Sequence, residues 1–379
     1  MTQEIAFSSN KNLDSALAEI FLQLKKSPDS YTAVIYFASV CYDFVELSKR
    51  IHERFPNTQV IGTSTSGEIS PHGFTKNSLV LTTLSDPGTR VSGVVIDDTD
   101  QFPIVHKTEI ESAARKVGIN LHQDGANKDC FALTFINGLC NAEEASLALL
   151  NAVIDDKEFI IAGGSAGDDL QFKQTYVSCN GQTVSRGAAV LFFKTRKKFI
   201  IKRENIFAPS GKKLQLSNVD FETRTVKSIN NQNPRTMYAR ALGIPESEAP
   251  NAALMHPMGR AYGDDVFISS IANFNSDGSI GMYCRVLPNS DVELMNPLDA
   301  LETAEKTGAA FEEEVKRPGC VILINCILRT IGFEQQRLTE KIADIWRRRF
   351  HFFCGFSSYG EQKNRLNFNQ TLLALVIEE

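Results

Sequence analysis

The sequence predicts an α/β protein with mixed sheets, in which repeated βαβ-plus-hairpin units form layered sandwiches and carry an inserted, β-rich α+β module. Two observations carry that prediction. The first is a pattern that occurs three times. Apolar runs YTAVIYFASVCYD from residue 31, CFALTFINGLCNA from 130 and GCVILINCILRTIG from 319 have the composition of buried strands. Each ends in a short polar break and leads into a stretch of helical periodicity: FVELSKRIHERF, AEEASLALLNAVI and RLTEKIADIWRRRF. A second strand follows and runs into a small-residue loop, within TQVIGTSTSGEIS from 58, FIIAGGSAGDDLQ from 159 and HFFCGFSSYGEQ from 351. In every loop a glycine precedes a carboxylate: Gly67-Glu68, Gly167-Asp168 and Gly360-Glu361. Another apolar strand closes each copy, within SLVLTTLSD, GAAVLFFKT and TLLALVIEE.

A strand-helix-strand passage within one sheet makes a right-handed parallel crossover, whereas the short return pairs antiparallel, so the sheets are mixed. The glycine-rich loops fall at the ends of central strands, where backbone can approach a ligand closely and open α/β sheets bind small molecules. The plainer reading is that the glycines only turn the chain while serines and carboxylates cap local amides.

The second observation is the region from about 204 to 300, between the second and third copies. LQLSNVDFETRTVKSI reads as two strands joined by a turn, and a short helix at 233–242 ends before Gly243-Ile244-Pro245. DDVFISSIANFNSDGSIGMYCRVLPNSDVELM reads as a meander with Ser276-Asp277-Gly278 as its turn. LDALETAEKTGAAFEEEVKRPG is then a helix with an acidic, solvent-facing middle. Two domains follow: 1–200 with two repeat units, and 201–379 with the insert and the third.

Composition narrows the function. The chain has 379 residues, 42% hydrophobic and 22% charged, enough for two sizeable cores. No run approaches the ~20 apolar residues that cross a bilayer, and MTQEIAFSSNKN lacks the apolar core of an export signal, so a cytoplasmic location is expected. The eight cysteines stand singly, with no CxxC pair. A net charge of −5 argues against nucleic acid as a partner, and the basic runs at 194–198 and Arg347-Arg348-Arg349 read as solvated faces.

Taken in order from about residue 30 to the end, IGTSTSGEIS, AGGSAGDDL, VKSINNQNPRTMYARALGI before HPMG, the SDGSI turn, and NCILR with GFSSYGE resemble the FIST N and FIST C modules of signal-transduction proteins. The resemblance implies cytoplasmic sensing of a small molecule. It also implies output by docking to a partner, often a histidine kinase or a cyclic-di-GMP enzyme, without membrane insertion. A subset of bacterial members senses nitric oxide through non-covalent haem, which makes haem b the cofactor to test.

For haem, an axial ligand is needed in an apolar pocket. Of the six histidines, His256 is best placed, in Leu254-Met255-His256-Pro257-Met258-Gly259-Arg260, where Arg260 can meet a propionate or a substrate carboxylate. For an organic ligand, the third repeat offers Asn325, Cys326 and Arg329 after its first strand and Ser357, Ser358 and Glu361 after its second. Arg329 can clamp a carboxylate and Glu361 can accept from an ammonium, which suits an amino acid; alternatively the two pair with each other. Asn137 and Asp168 are their counterparts in the second repeat. A cysteine-dependent enzyme would use Cys326 as nucleophile and His256 as base, but the sequence supplies no nucleophile elbow and no third orienting residue. There is no P-loop, HExxH or acidic calcium loop. The leading expectation is a small-ligand sensor that is not an enzyme. A haem-based nitric oxide sensor and a cysteine-dependent enzyme are the alternatives.

Overall fold

The computed structural model describes residues 1–263 and 265–379, and its repeat is larger than the sequence pattern alone indicates. The first unit contains β1 (Ala33–Ala38), α1 (Phe44–Arg54), β2 (Gln59–Ser64), a hairpin β3 (Glu68–Ser70) and β4 (Gly73–Thr75), and a return strand β5 (Leu79–Ser85). The second contains β6 (Cys130–Asn137), α2 (Glu143–Ile154), β7 (Ile160–Ala166), the hairpin β8 (Val177–Cys179) and β9 (Gln182–Val184), and β10 (Gly187–Lys194). The third contains β11 (Pro318–Cys326), α3 (Ile327–Gln335), α4 (Thr339–Arg349), β12 (Cys354–Ser358), the hairpin β13 (Glu361–Lys363) and β14 (Leu366–Phe368), and β15 (Thr371–Glu378).

Local chemistry accounts for these elements. Asp43 caps α1 by accepting from the amides of Val45 and Glu46, and Phe44, Leu47 and Ile51 form its buried face. The first strand of each unit is buried almost throughout, because sheet faces are covered on both sides. β1 pairs parallel with β2, β6 with β7 and β11 with β12, while each return strand runs antiparallel to the first, giving the expected mixed sheets.

Each unit also has a leading strand and helix outside the threefold pattern, of which only the third helix was expected, as the end of the insert. The leading strands are Thr2–Ser8, Arg90–Asp97 and Phe199–Asn205; their helices are Leu13–Gln23, Lys107–Val117 and Ala300–Glu314. Alternating, half-buried strands such as TQEIAFS carry a weaker signal than a fully apolar run. The insert thus interrupts the third unit between its leading strand and leading helix. It forms a seven-stranded sheet with its own core, including Leu216, Ile229, Tyr238, Met258, Ile280 and Leu294. Its helix spans Pro234–Leu242, capped by the Asn233 side chain and ended by left-handed Gly243, in agreement with the sequence.

The units exchange their hairpins. The hairpin β3–β4 extends the sheet of the third unit beside β12, β8–β9 extends the first beside β2, and β13–β14 extends the second beside β7. The expected boundary at residue 200 falls inside the third leading strand, Phe199–Asn205, and two six-stranded sheets contain strands from both sides of it.

The small-residue loops therefore meet one another. Ser66 N donates to Ser357 O at 3.0 Å, Ser357 N to Gly67 O at 2.8 Å, Gly167 N to Ser64 O at 3.0 Å, and Ser165 N to Gly360 O at 2.7 Å. A Cβ on Gly167 would lie 2.8 Å from Ser66 N, so this glycine permits close backbone approach between units. Below the loops, Phe37, Phe135 and Phe356 pack mutually, with ring centroids 5.1–5.9 Å apart. Gly164 leaves the space that the Phe356 ring fills; a Cβ there would sit 2.9 Å from it.

Candidate functional site

The residues singled out in the third repeat do come together, but as a buried structural network. Asn325 Nδ2 donates to Thr330 Oγ1 at 2.9 Å, and the Thr330 and Ser357 hydroxyls lie 2.8 Å apart. Ser358 Oγ donates to Glu361 Oε1 at 2.6 Å, and Thr371 donates to Glu361 Oε2 from both its amide and its hydroxyl, at 3.2 and 2.8 Å. Arg329 does not pair with Glu361: its guanidinium forms an ion pair with Glu204 on the third leading strand, with both side chains 2% exposed. An incoming carboxylate would have to displace Glu204. The clamp for an amino acid is therefore not formed.

The same construction recurs in the first unit, where Glu68 accepts from the hydroxyls of Thr65 and Ser78 and from the Ser78 amide. In both copies the carboxylate binds a hydroxyl three residues back and a residue ten positions ahead. Burial pushes Glu68 up to about 8 and Glu361 up to about 7, against the downward pull of their hydroxyl donors. The glycine-carboxylate steps thus anchor loops.

Cys326 is buried, and its thiol is raised well above the usual range by burial, with Glu361 adding to the shift. A nucleophilic cysteine needs the opposite shift. His256 is partly buried and its Nδ1 lies 3.1 Å from Met295 O, while its own carbonyl accepts from Tyr238 Oη at 2.8 Å. Leu254 and Met255, beside His256 in the chain, border a crevice of about 20 Å³, which is too small to fit haem. Arg260 lies elsewhere, in an open groove of the insert beside Lys213, Tyr262, Asp291 and Glu293. Among the described residues, no cluster of three His, Cys, Asp or Glu side chains could hold a metal ion, and no helix is long and apolar enough to cross a membrane.

A cavity of about 230 Å³ lies where the second unit, the third unit and the insert meet, at the C-terminal ends of the parallel strands. Leu139 follows β6, Leu170 and Phe172 follow β7, Tyr359 follows β12, and Ile327, Leu328 and Ile331 belong to α3, which begins directly after β11. The insert adds Arg224, Met282 and Tyr283. This is the position at which open α/β sheets place ligands.

One polar corner orients the cavity. Arg224, itself left-handed at φ 53°, donates to Glu143 at 3.0 Å, to Glu144 at 2.7 Å and to Tyr283 O at 2.8 Å. Its Nε is buried without a partner. Burial raises the Glu143 carboxyl, and Arg224 opposes the shift. Two carboxylates against one guanidinium make this corner favour a neutral or cationic group over an anion.

The opposite wall is a strained loop. Asp169, Leu170 and Phe172 all have positive φ, an uncommon and costly conformation for bulky residues. Asp168 holds the loop in place by accepting from the amides of Phe172, Lys173 and Gln174, at 2.6–3.1 Å, and from Tyr359 Oη at 2.5 Å. Tyr359 stacks on Phe172 at 5.5 Å. Burial and the Asp168 carboxylate both raise the Tyr359 phenol, which stays a donor. Leu139, Leu170 and Phe172 remain 37%, 39% and 54% exposed, an apolar rim around the opening. Of these groups only Asp168 stands out in the sequence as a candidate. Tyr359 carried a legible signal, as a lone large aromatic inside a small-residue loop.

Comparison with known proteins bears on the whole chain. Among solved structures the chain is similar to a cyanuric acid hydrolase described as an evolutionary innovation by structural concatenation. Identity is 9% over 69% of this chain and 82% of that one, with a TM-score of 0.30, a likeness that transfers no activity. No curated protein sequence matches. Family models match on both sides of the start of the insert's first helix, the FIST N domain over residues 32–232 and the FIST C domain over residues 235–364. The chain belongs to the FIST family of signal-transduction sensor domains.

Proposed function

We propose that this protein senses a small, predominantly apolar organic molecule, neutral or cationic, in the 230 Å³ cavity, and passes the bound state to a signalling partner. The cavity's construction supports this reading most directly: a ligand there touches the second unit, the third unit and the insert together. Its volume lies just below the ~300–1,000 Å³ usual for organic ligands, which sets a small ligand. Occupancy can shift the protein only through different affinity for two conformations. The strained Asp168–Gln174 loop, with Leu170 and Phe172 at the rim, is the element in direct reach of both ligand and partner. A histidine kinase or a cyclic-di-GMP enzyme is the partner class that family membership favours. We read the protein as a binding protein rather than a cysteine-dependent enzyme, because Cys326 is held as a thiol and is not among the residues that line the cavity.

Benzylamine, benzyl alcohol and phenylacetate, three probes of similar shape and different charge, test the assignment by thermal shift. Benzylamine and benzyl alcohol are expected to stabilise the protein by RT ln(1 + [L]/Kd), and phenylacetate much less, because Glu143 and Glu144 repel it. Ile331→Trp fills the cavity and is expected to abolish the effect while the protein stays folded. No shift with any probe at millimolar concentration, or shifts that survive Ile331→Trp, would remove the assignment.

A further inference from the structure

A second concave site lies against the hairpin β13–β14, in a groove of about 670 Å³. Among the described residues, five cationic side chains line it, Lys157, Lys202, Arg203, Lys363 and Arg365, against the one carboxylate of Asp265. Three of the five are accounted for by known partners: Lys157 pairs with Asp124, Lys202 with Glu314, and Arg203 with Asp265 at 2.9 Å. Among the described residues, Lys363 and Arg365 form no ion pair.

Arg203 is built into the wall. Its guanidinium lies 4.6 Å from the ring centroids of both Phe267 and Phe368, and its side chain is only 11% exposed. Asp265 takes Nη2, and Nη1 is buried with no hydrogen-bond partner. A buried, unsatisfied guanidinium donor costs several times what an ordinary hydrogen bond contributes, unless a ligand completes it. Lys363 is partly buried beside it, and burial together with the Arg203 and Lys202 charges lowers its ammonium value. The turn that carries Lys363 and Arg365 is fixed: Asn364 Oδ1 accepts from Ile161 N at 3.1 Å, and Asn364 O accepts from Asn151 Nδ2 at 3.1 Å. The cations are thus held close together by the fold, against their mutual repulsion.

We infer that this groove is a second ligand site, which takes a small organic phosphate ester. A phosphate monoester offers up to two negative charges and three acceptor oxygens, enough to complete Arg203 Nη1 and to pair with Lys363 and Arg365. Leu366 and the edge of Phe267 offer an apolar seat for the organic part. A volume inside the usual small-molecule range favours such a ligand over an extended acidic surface.

Isothermal titration of the full chain with phenyl phosphate, inorganic phosphate and benzyl alcohol, at constant ionic strength, tests the inference. Phenyl phosphate is expected to bind one per chain, and inorganic phosphate more weakly. Lys363→Gln combined with Arg365→Gln is expected to weaken phenyl phosphate binding at least tenfold while the protein stays folded, since the double change relieves repulsion and breaks no described ion pair. Ile331→Trp, which blocks the other cavity, is expected to leave phenyl phosphate binding unchanged, so the two sites fail independently. Absence of phenyl phosphate binding, binding undiminished in the double variant, or binding of a phosphorylated peptide without phenyl phosphate would each overturn the inference.

Discussion

Arg329→Met is expected to destabilise the protein by ~3–5 kcal/mol, because it leaves the Glu204 carboxylate buried without a counter-charge. The ion pair joins α3 to the third leading strand, and both groups are almost fully withdrawn from water. It is also incompletely served: Arg329 Nε and Glu204 Oε2 are buried without hydrogen-bond partners. Two charges so placed repay little of their desolvation, so the double change Arg329→Met with Glu204→Leu should recover most of the loss. Urea unfolding of the two single variants and the double measures this. Were Arg329 instead a ligand clamp, Arg329→Met would leave stability nearly unchanged, and Glu204→Leu would not compensate it.

The second large effect is a fall in stability as pH rises from mildly acidic to mildly basic. Glu68 and Glu361 titrate at about 8 and about 7 in the folded protein, against an ordinary value of 4.5. Between those limits the native state holds protons that the unfolded chain has released. Stability therefore decreases with pH, by ~1.4 kcal/mol per pH unit for each group still protonated only in the folded state. The stabilisation is complete below 4.5; both groups contribute to the loss up to about 7, and Glu68 alone up to about 8. Asp169 adds to the rise at Glu68, while Arg329 moderates that at Glu361. Urea midpoints at pH 5, 6, 7 and 8 should fall steadily. A variant with Glu68→Gln and Glu361→Gln, which keeps a neutral acceptor at both positions, should show a much flatter profile. A wild-type profile that rises with pH, or a variant as steep as wild type, would contradict the assignment of these carboxyls as neutral anchors.

These two results concern residues whose type and position were evident in the sequence but whose direction was not. The threefold pattern located the central strand-helix-strand passage of each unit, the return strands and the insert, because fully apolar runs of strand length are a strong signal. It also pointed to the ends of β6, β7, β11 and β12, where the cavity lies. The glycine-carboxylate steps were placed correctly along the chain and misread in three dimensions. Glu361 faces Ser358 and Thr371 in the interior, and a one-residue difference in register decides whether such a side chain faces a ligand or the core. Arg329 found Glu204, some 125 residues away, on a leading strand whose alternating pattern had not marked it as part of the unit. Arg224 left no local signal at all: Thr223-Arg224-Thr225 reads as an ordinary polar turn, and its role appears only when the insert is docked on α2.

The exchanged hairpins bear on how the chain behaves when it is cut. A break in the link between Lys194 and Phe199 leaves two fragments that still lace through each other, because β3–β4 belongs to the sheet of the later fragment and β13–β14 to that of the earlier one. Such a nick is expected to leave the folded protein in one piece. Either fragment made alone lacks strands that complete one of its sheets and presents an unpaired edge beside β7 or β12, a template for aggregation rather than a free-standing domain. The natural divisible piece is instead the insert, whose core is its own and whose two connections to the third unit lie next to each other, at Phe207 and Pro297.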